Sequence, residues 1–554
     1  MFRSFVRVLT AVAVVAVLGA LAVPAANAAA HGAPRGSAAA SGTLRLAASE
    51  ELYCADWISS CAGLSWGSWS LGVETMPQAF QVTAAGEFVP GPMLAGEPTV
   101  DNGPPLRITY RIDPAAVWSD GVAMTAADFA YTWQQIVTGQ DIYDKTGYDK
   151  IASIDTSDPA TAVVTFSEPF APWRDLFSGF YYVLPSHLLA GKDRHAAMKD
   201  GYSFSGGPWK LDGGKKGWVK GKTLTLVPNP RWWRTKPSIG KVVFQFIPDS
   251  AAATQAMKTR QVLAAFPLPQ TGILDQFEQA GLQTKIGFGT SSEGLWLNES
   301  KAPLDDLAVR QALLYATDRQ ALVDQISKPS VRQGRVLQSF LVPTFPEYYS
   351  PAFDRYTANP GKVDTLMKGA GWTKGADGLW VRNGQKATIE ASTTAGNKNR
   401  ELLLQVWQSQ LRAAGFDLVT TFASPDLLFG KALPQGTFTV ALYTSTGTPD
   451  PGLCALFCSV NIPTKANGFV GQNVTRTRSA AVDAVWGAVD REIDPVARIQ
   501  AVLQGQQVLA DEAVSIPLFQ QPDILVWDGQ RISGPLEDNS VMGPFWNLEL
   551  WTLK

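Results

Sequence analysis

Gly63-Leu64-Ser65-Trp66-Gly67 has the spacing of a nucleophile elbow, G-x-S-x-G, in which a serine on a sharp strand-to-helix turn attacks a carbonyl. That chemistry needs a buried strand before the serine and a histidine to take its proton. Ser59-Ser60-Cys61-Ala62 precedes the elbow and supplies no such strand. The histidines are His31, His187 and His195, none in the C-terminal region where that fold places its own. A secreted serine hydrolase using Ser65 is therefore disfavoured, and no catalytic residue is expected. Three histidines make no H-E-x-x-H cluster, and the chain has no G-x-x-x-x-G-K-[ST] phosphate cradle. Four cysteines fall in two close pairs, Cys54/Cys61 and Cys454/Cys458. Their spacings are not those of common zinc sites, so neither a metal nor another cofactor is expected. Of the three possible pairings, local bridges within each pair are expected, because the others would tie together distant parts of the chain.

The elements that would hold a site alternate between the two periods of regular structure. Thr43 to Ala47 reads as a strand. Leu106–Ile112 and Ala162–Phe166 are strand-like, with a helix over 126–137 between them; Thr125 is its N-cap, and Asp128 stands where a capping box wants an acceptor. A helix starts near Leu184. Residues 204–211 read as a turn into a strand, with Gly206 and Gly207 free to take φ > 0 and Pro208 fixing the turn. Leu224–Val227 and Val242–Ile247 alternate as strands. One helix is expected over 306–325, with Arg310 and Asp318 on one face, and another over 402–413, closed by Gly415. A strand at 438–443, a helix at 499–509 and two short strands, 516–519 and 524–527, complete the pattern. It argues an α/β fold.

The N-terminus reads as a targeting segment. Arg3 and Arg7 precede an apolar run from Val8 to Leu21, Pro24 breaks it, and Ala26-Asn27-Ala28 offers a cleavage site. Export is thus expected, to the periplasm or the cell exterior, where disulfides persist. Residues 29–42 read as a flexible tether. Removing residues 1–28, which hold two arginines and no acid, takes the formal net charge from −2 to −4, and such a balance gives no support to nucleic-acid binding. The 18 tryptophans serve packing or line an amphipathic cleft.

Several blocks also resemble, in order, the signature of the extracytoplasmic solute-binding proteins of the oligopeptide/dipeptide-binding family, the family 5 receptors of ABC importers. They are Tyr110 to Trp133, Gly206-Gly207-Pro208-Trp209-Lys210-Leu211, Asn229-Pro230-Arg231-Trp232-Trp233, Leu304 to Arg319, Ala370-Gly371-Trp372, Ser515-Ile516-Pro517-Leu518 and Gly543-Pro544-Phe545-Trp546-Asn547. The resemblance implies a two-lobed periplasmic-binding-protein fold of type II, with an extra subdomain in lobe one and a hinge cleft between the lobes. Carried over, lobe one is 43–65, 184–293 and 515–554, the inserted subdomain is 66–183, and lobe two is 294–514. A monomer is implied, working with ABC permease subunits in the membrane. A lipid-anchored receptor of this kind would show a Cys at the cleavage point, and none precedes Cys54.

Family receptors for peptides hold the ligand's free amine with an Asp in the loop that here runs from Tyr443 to Pro451. Counted back from Asp450-Pro451, that Asp falls on Gly447. A buried ammonium needs a partner, so either another acid serves or the ligand has no amine there. Glu50, Glu51 and Asp56, in the loop after the first strand, are the alternatives. Trp57, Trp66, Trp69, Tyr443, Ser445 and Phe519 complete the expected ligand-binding set. Aromatic faces suit peptide side chains and sugar rings alike, so the expected ligand is a short peptide or, in second place, an oligosaccharide.

Overall fold

The computed structural model describes residues 40–554, apart from 63, 64, 180, 332, 333, 538 and 540. The expected targeting segment and most of the tether lie outside the described residues. So do Gly63 and Leu64 of the G-x-S-x-G stretch.

In chain order, the strands that carry the architecture are β1 (Ser41–Ala48), β2 (Thr99–Asp101), β3 (Arg107–Arg111), β4 (Ile151–Asp158), β5 (Thr161–Phe166), β6 (Trp209–Leu211), β7 (Thr223–Pro228), β8 (Ile239–Phe246), β9 (Ala264–Ala265), β10 (Gln283–Leu297), β11 (Thr388–Thr394), β12 (Asp417–Ala423), β13 (Val440–Thr446) and β14 (Ser515–Trp527). The helices used below are α1 (Ala126–Thr138), α2 (Leu307–Ala316), α3 (Arg319–Val331), α4 (Lys398–Ala414), α5 (Ala480–Arg491) and α6 (Pro495–Asp511). One long mixed sheet runs β12-β11-β13-β10-β14-β9-β1-β8-β7-β6, with Trp218–Val219 added beside β7. The strands β2-β3-β5-β4 form a separate sheet.

Local chemistry explains several elements. In β1, Leu44 and Leu46 flank the exposed Arg45 and are fully buried, while Ala47 packs into a core on the opposite face, as period 2 demands of a strand covered on both faces at its end. Helix α1 has its capping box: Thr125 N–H donates to Asp128 Oδ2 at 3.0 Å. In α4, Leu403, Leu404, Trp407 and Leu411 make one buried stripe, each leucine contributing roughly 1.5–3 kcal/mol of apolar burial.

Three expectations are corrected. The helix expected over 306–325 is two helices, α2 and α3, broken at Thr317, whose backbone is extended. Thr317 Oγ1 donates back to Leu313 O at 2.7 Å and Asp318 caps the next turn by accepting from Ala321 N, a side-chain competition that ends helices. Arg310 and Asp318 therefore do not share one helix face. The two short C-terminal strands are one continuous strand, β14. Gly206 and Gly207 do not have positive φ; they are needed for close approach, since a Cβ on Gly207 would lie 2.4 Å from Glu74 O.

Two large cores flank the centre of the long sheet. One includes Leu44, Trp118, Trp209 and Phe545; the other includes Leu295, Val309, Trp407 and Trp486. Strand β14 has Ile516 and Leu518 in the second core and Leu525 in the first, and β10 pairs antiparallel along it, which makes the fold two-lobed with crossing strands as the hinge. The expected lobe limit at 293/294 falls inside β10, and that at 514/515 falls at the start of β14. No helix among the described residues is long and apolar enough to cross a membrane.

Candidate functional site

A cavity of about 220 Å³ opens between the two lobes. One wall comes from the segment around the small sheet, including Asp144, Tyr148, Phe170, Asp175 and Tyr181; the other comes from the second lobe, including Phe340, Tyr348, Ser445, Gly447, Asp450 and Asp490. Its floor is β10. Thr290, Ser292 and Trp296 lie two or four residues apart there and share the face that points into the cavity. The intervening Glu293 points the other way and is bound by Arg400 Nε at 2.7 Å.

The walls touch at their rims. Ala171 N donates to Asp490 O at 2.7 Å, Thr448 Oγ1 donates to Asp175 Oδ2 at 2.9 Å, and Gln472 Nε2 donates to Asp144 Oδ2. Burial holds the carboxyl of Asp175 well above its usual range, and the neighbouring Asp450 adds to the shift. Burial, with Asp450 again second, pushes Asp490 up to about 7. Asp450 itself is matched: Arg498 Nη1 and Nη2 donate to its two oxygens, both at 2.7 Å. Its Oδ1 also accepts from Gly452 N at 2.8 Å, so Asp450 both fixes a turn and stands in the cavity wall.

The expected binding residues are distributed unevenly. Ser445 and Gly447 line the cavity. Tyr443 stands behind it, stacked on Trp296 with centroids 5.2 Å apart. Trp69 is buried, its Nε1 donating to the carbonyl of the cavity-lining Val541. Trp66 packs on Trp69 and Phe545, and Trp57 donates to Tyr202 Oη, both inside the first core. Phe519 packs in the second core and borders a small cleft beside Glu293 and Arg400.

The three acids of the loop after β1 have separate surroundings, none of them on the cavity wall. Glu50 feels Arg400 of the other lobe, and burial raises its carboxyl. Glu51 accepts from Trp218 Nε1 at 2.7 Å and from Gly221 N at 2.9 Å, fixing a turn. Asp56 is fully buried, with both oxygens bound by Arg194 Nη1 at 2.6 and 2.8 Å. Arg194 Nη2 takes both oxygens of Asp141 at 2.9 Å, and His195 Nδ1 stands 3.0 Å from Asp56 Oδ2. Ligand atoms of Asp56, Asp141 and His195 come within 4.8 Å of one another, but the guanidinium already occupies the carboxylate oxygens a metal would take.

The disulfides are local, Cys54–Cys61 and Cys454–Cys458. Ser65 follows a short 3-10 turn, Ser60–Ala62, and not the buried strand an elbow requires. His187 pairs with Asp120 at 2.9 Å and His195 with Asp56, so both are engaged away from it. Sequence reasoning missed Asp144, Asp175, Asp490 and Trp296. The available hint was the length of the loop ending in Asp450-Pro451; nothing in the sequence ties it to Asp175.

Comparison with known proteins gives these features a lineage. The middle-region model of the bacterial extracellular solute-binding proteins, family 5, matches residues 89–462. The oligopeptide-binding protein OppA of Mycobacterium tuberculosis (strain ATCC 25618 / H37Rv) is 24% identical over 461 residues, covering 81% of this chain and 75% of that one. The oligopeptide-binding protein AppA of Bacillus subtilis, solved in complex with a nonapeptide, shares the fold with a TM-score of 0.83 at 18% identity, over 93% of this chain and 99% of that one. The periplasmic EDTA-binding protein EppA gives a TM-score of 0.79 at 22% identity, over 94% of this chain and 97% of that one. With more than half of the chain matched by the family model and the two-lobed fold shared almost end to end, this chain belongs to the bacterial extracellular solute-binding proteins of family 5.

Proposed function

We propose that this protein captures a short peptide between its lobes, encloses it, and delivers it to the membrane permease of an ABC importer. The cavity walled by both lobes carries this reading. A ligand that touches Ser445 and Gly447 on one side and the Phe170–Asp175 segment on the other makes its full set of contacts only when the lobes are closed. It therefore shifts the open–closed equilibrium by its differential affinity. The volume of about 220 Å³ lies below the roughly 300–1,000 Å³ of common ligand pockets, which favours a ligand much shorter than a nonapeptide. The polar strand ends around Ser445 offer main-chain pairing, the sequence-tolerant mode of peptide recognition. Aromatic rings on the cavity walls, Phe170, Tyr181 and Phe340 among them, favour the second reading, an oligosaccharide. A monomer is sufficient, because each lobe supplies one wall.

Native mass spectrometry of the gently purified mature protein tests the reading. Co-purified masses of short peptides are expected, whereas a hexose ladder would replace the peptide by an oligosaccharide. A second test uses Gly447. A Cβ there would meet nothing closer than Thr290 O at 3.7 Å, so Gly447→Asp has room for its carboxylate. The variant is expected to bind a free-amine peptide at least about tenfold more tightly than the wild type does, as a charge-assisted hydrogen bond allows. The N-acetylated peptide should gain nothing. Equal behaviour of the two peptides would count against placing the amine beside residue 447.

A further inference from the structure

We propose that the cavity takes a ligand bearing a positively charged group, an alkylammonium or a guanidinium, seated between Asp175 of one wall and Asp490 of the other. This deepens the preceding reading and rests on its enclosed ligand, but not on that ligand being a peptide. Asp144, Asp175, Asp450 and Asp490 all line the cavity, and the guanidinium of Arg498 acts on the last three. Arg498 is committed in bidentate fashion to Asp450. Asp144 accepts from Thr146 and Gln472. Asp175 is left with one hydroxyl donor, Thr448, and the side chain of Asp490 accepts from no described residue. Arg491 and Lys150 act on Asp490 from outside the cavity, and Lys150 is itself bound to Glu168 at 2.7 Å.

Asp175 and Asp490 reach the cavity from opposite lobes. A methyl on Gly452 would lie 2.9 Å from Asp490 Oδ1, 3.0 Å from Asp450 Oδ1 and 3.4 Å from Pro172, which shows how closely the first lobe approaches the second-lobe acids. Closure thus drives like charges together in a space partly shut off from water, where repulsion is strong. Either protons or a cation must relieve it. The floor points independently to a ligand: Ser292 is only 6% exposed, lies on the cavity face of β10, and its hydroxyl has no hydrogen-bond partner among the described residues. That hydroxyl opens onto the cavity, where a ligand atom can pair with it.

The test compares C-amidated Ala-Lys-Ala with Ala-norleucine-Ala, each with a free or an acetylated N-terminus, and agmatine as a non-peptide cation, by calorimetry on the full mature chain. Peptides bearing either cation are expected to bind at least about tenfold more tightly than acetyl-Ala-norleucine-Ala-amide, a gain in the range of one charge-assisted bond. Asp175→Asn and Asp490→Asn should each erase that advantage, with thermal unfolding and far-ultraviolet circular dichroism reporting separately that the variants are folded. The acetylated lysine peptide and the free norleucine peptide separate a side-chain ammonium from the terminal amine. Binding of agmatine without any peptide keeps the cation and removes the peptide. If no cationic probe, agmatine included, binds better than the uncharged peptide, or if the Asn variants keep the full advantage, the proposal is overturned.

Discussion

Arg194 and Arg498 each lie beside more than one carboxylate, but only Arg194 leaves its acids matched. Around Arg194, four N–O contacts of 2.6 to 2.9 Å satisfy Asp56 and Asp141, and His195 adds a further donor. Around Arg498, Asp450 takes both Nη groups and the Val489 carbonyl takes Nε, and Asp175 and Asp490 are left with raised proton affinity. The first group is architecture: it ties the loop after β1 to the Arg194–Met198 helix. The second is under-satisfied, spans the two lobes and adjoins a cavity. Acid count alone does not distinguish the two; the ratio of carboxylates to committed donors does.

The largest effect expected from breaking this comparison is at Arg194. Arg194→Ala strands Asp56, a fully buried carboxylate, and removing one partner of a buried pair costs about 3–5 kcal/mol. Denaturant unfolding should show that loss, while ligand affinity per folded molecule stays within about twofold. A large drop in affinity with little loss of stability would move Asp56 from architecture into the binding site.

Asp490→Asn should act in the opposite direction. The native carboxyl is pushed up from 3.8 to about 7 by burial, so the folded state holds a proton that the unfolded chain has released. Wild-type stability then falls as pH rises through that window, because the folded state binds the extra proton. Asn carries no charge and flattens the profile. The side chain is partly exposed, so the expected gain near pH 8 is about 1–2 kcal/mol after discounting for solvent screening, with no gain near pH 4. Thermal unfolding across that range tests it, and a variant less stable than wild type at pH 8 would contradict the repulsion argument.

How much of this was legible in the sequence follows from the same contrast. The fold was legible because its signals are local. Thr125 and Asp128 are three residues apart, the stripe of α4 repeats at helical spacing, and the disulfide partners are seven and four residues apart. The helix break at Thr317 was not, since Ala, Leu and Tyr run up to it and one side-chain hydrogen bond ends the helix. The cavity was legible only along the 443–451 loop. Asp175 and Asp490 are 315 positions apart and meet through hinge closure, a juxtaposition no local pattern encodes. The loop after β1 looked equally functional on the page. Asp56 and Glu51 prove to be paired by Arg194, Trp218 and the Gly221 amide, and Glu50 faces only the charge of Arg400, partners that are far away in sequence.

His195 gives the smallest expected effect and the finest test of the contrast. Its hydrogen bond to Asp56 raises its proton affinity above the ordinary value of 6.5. A raised histidine adds stability that is fully present below the unfolded value and is lost as pH climbs through the folded one. His195 is 37% exposed, and Arg194 already satisfies Asp56, so His195→Ala should cost less than about 1 kcal/mol below pH 6.5 and nothing near pH 9. The trend is opposite to that of Asp490→Asn, whose effect grows as pH rises. Paired melting curves of the two variants therefore separate a surplus donor beside a satisfied acid from an acid that lacks one. If His195→Ala cost as much at pH 9 as at pH 6, the imidazole would be supporting Asp56 by packing and not by charge.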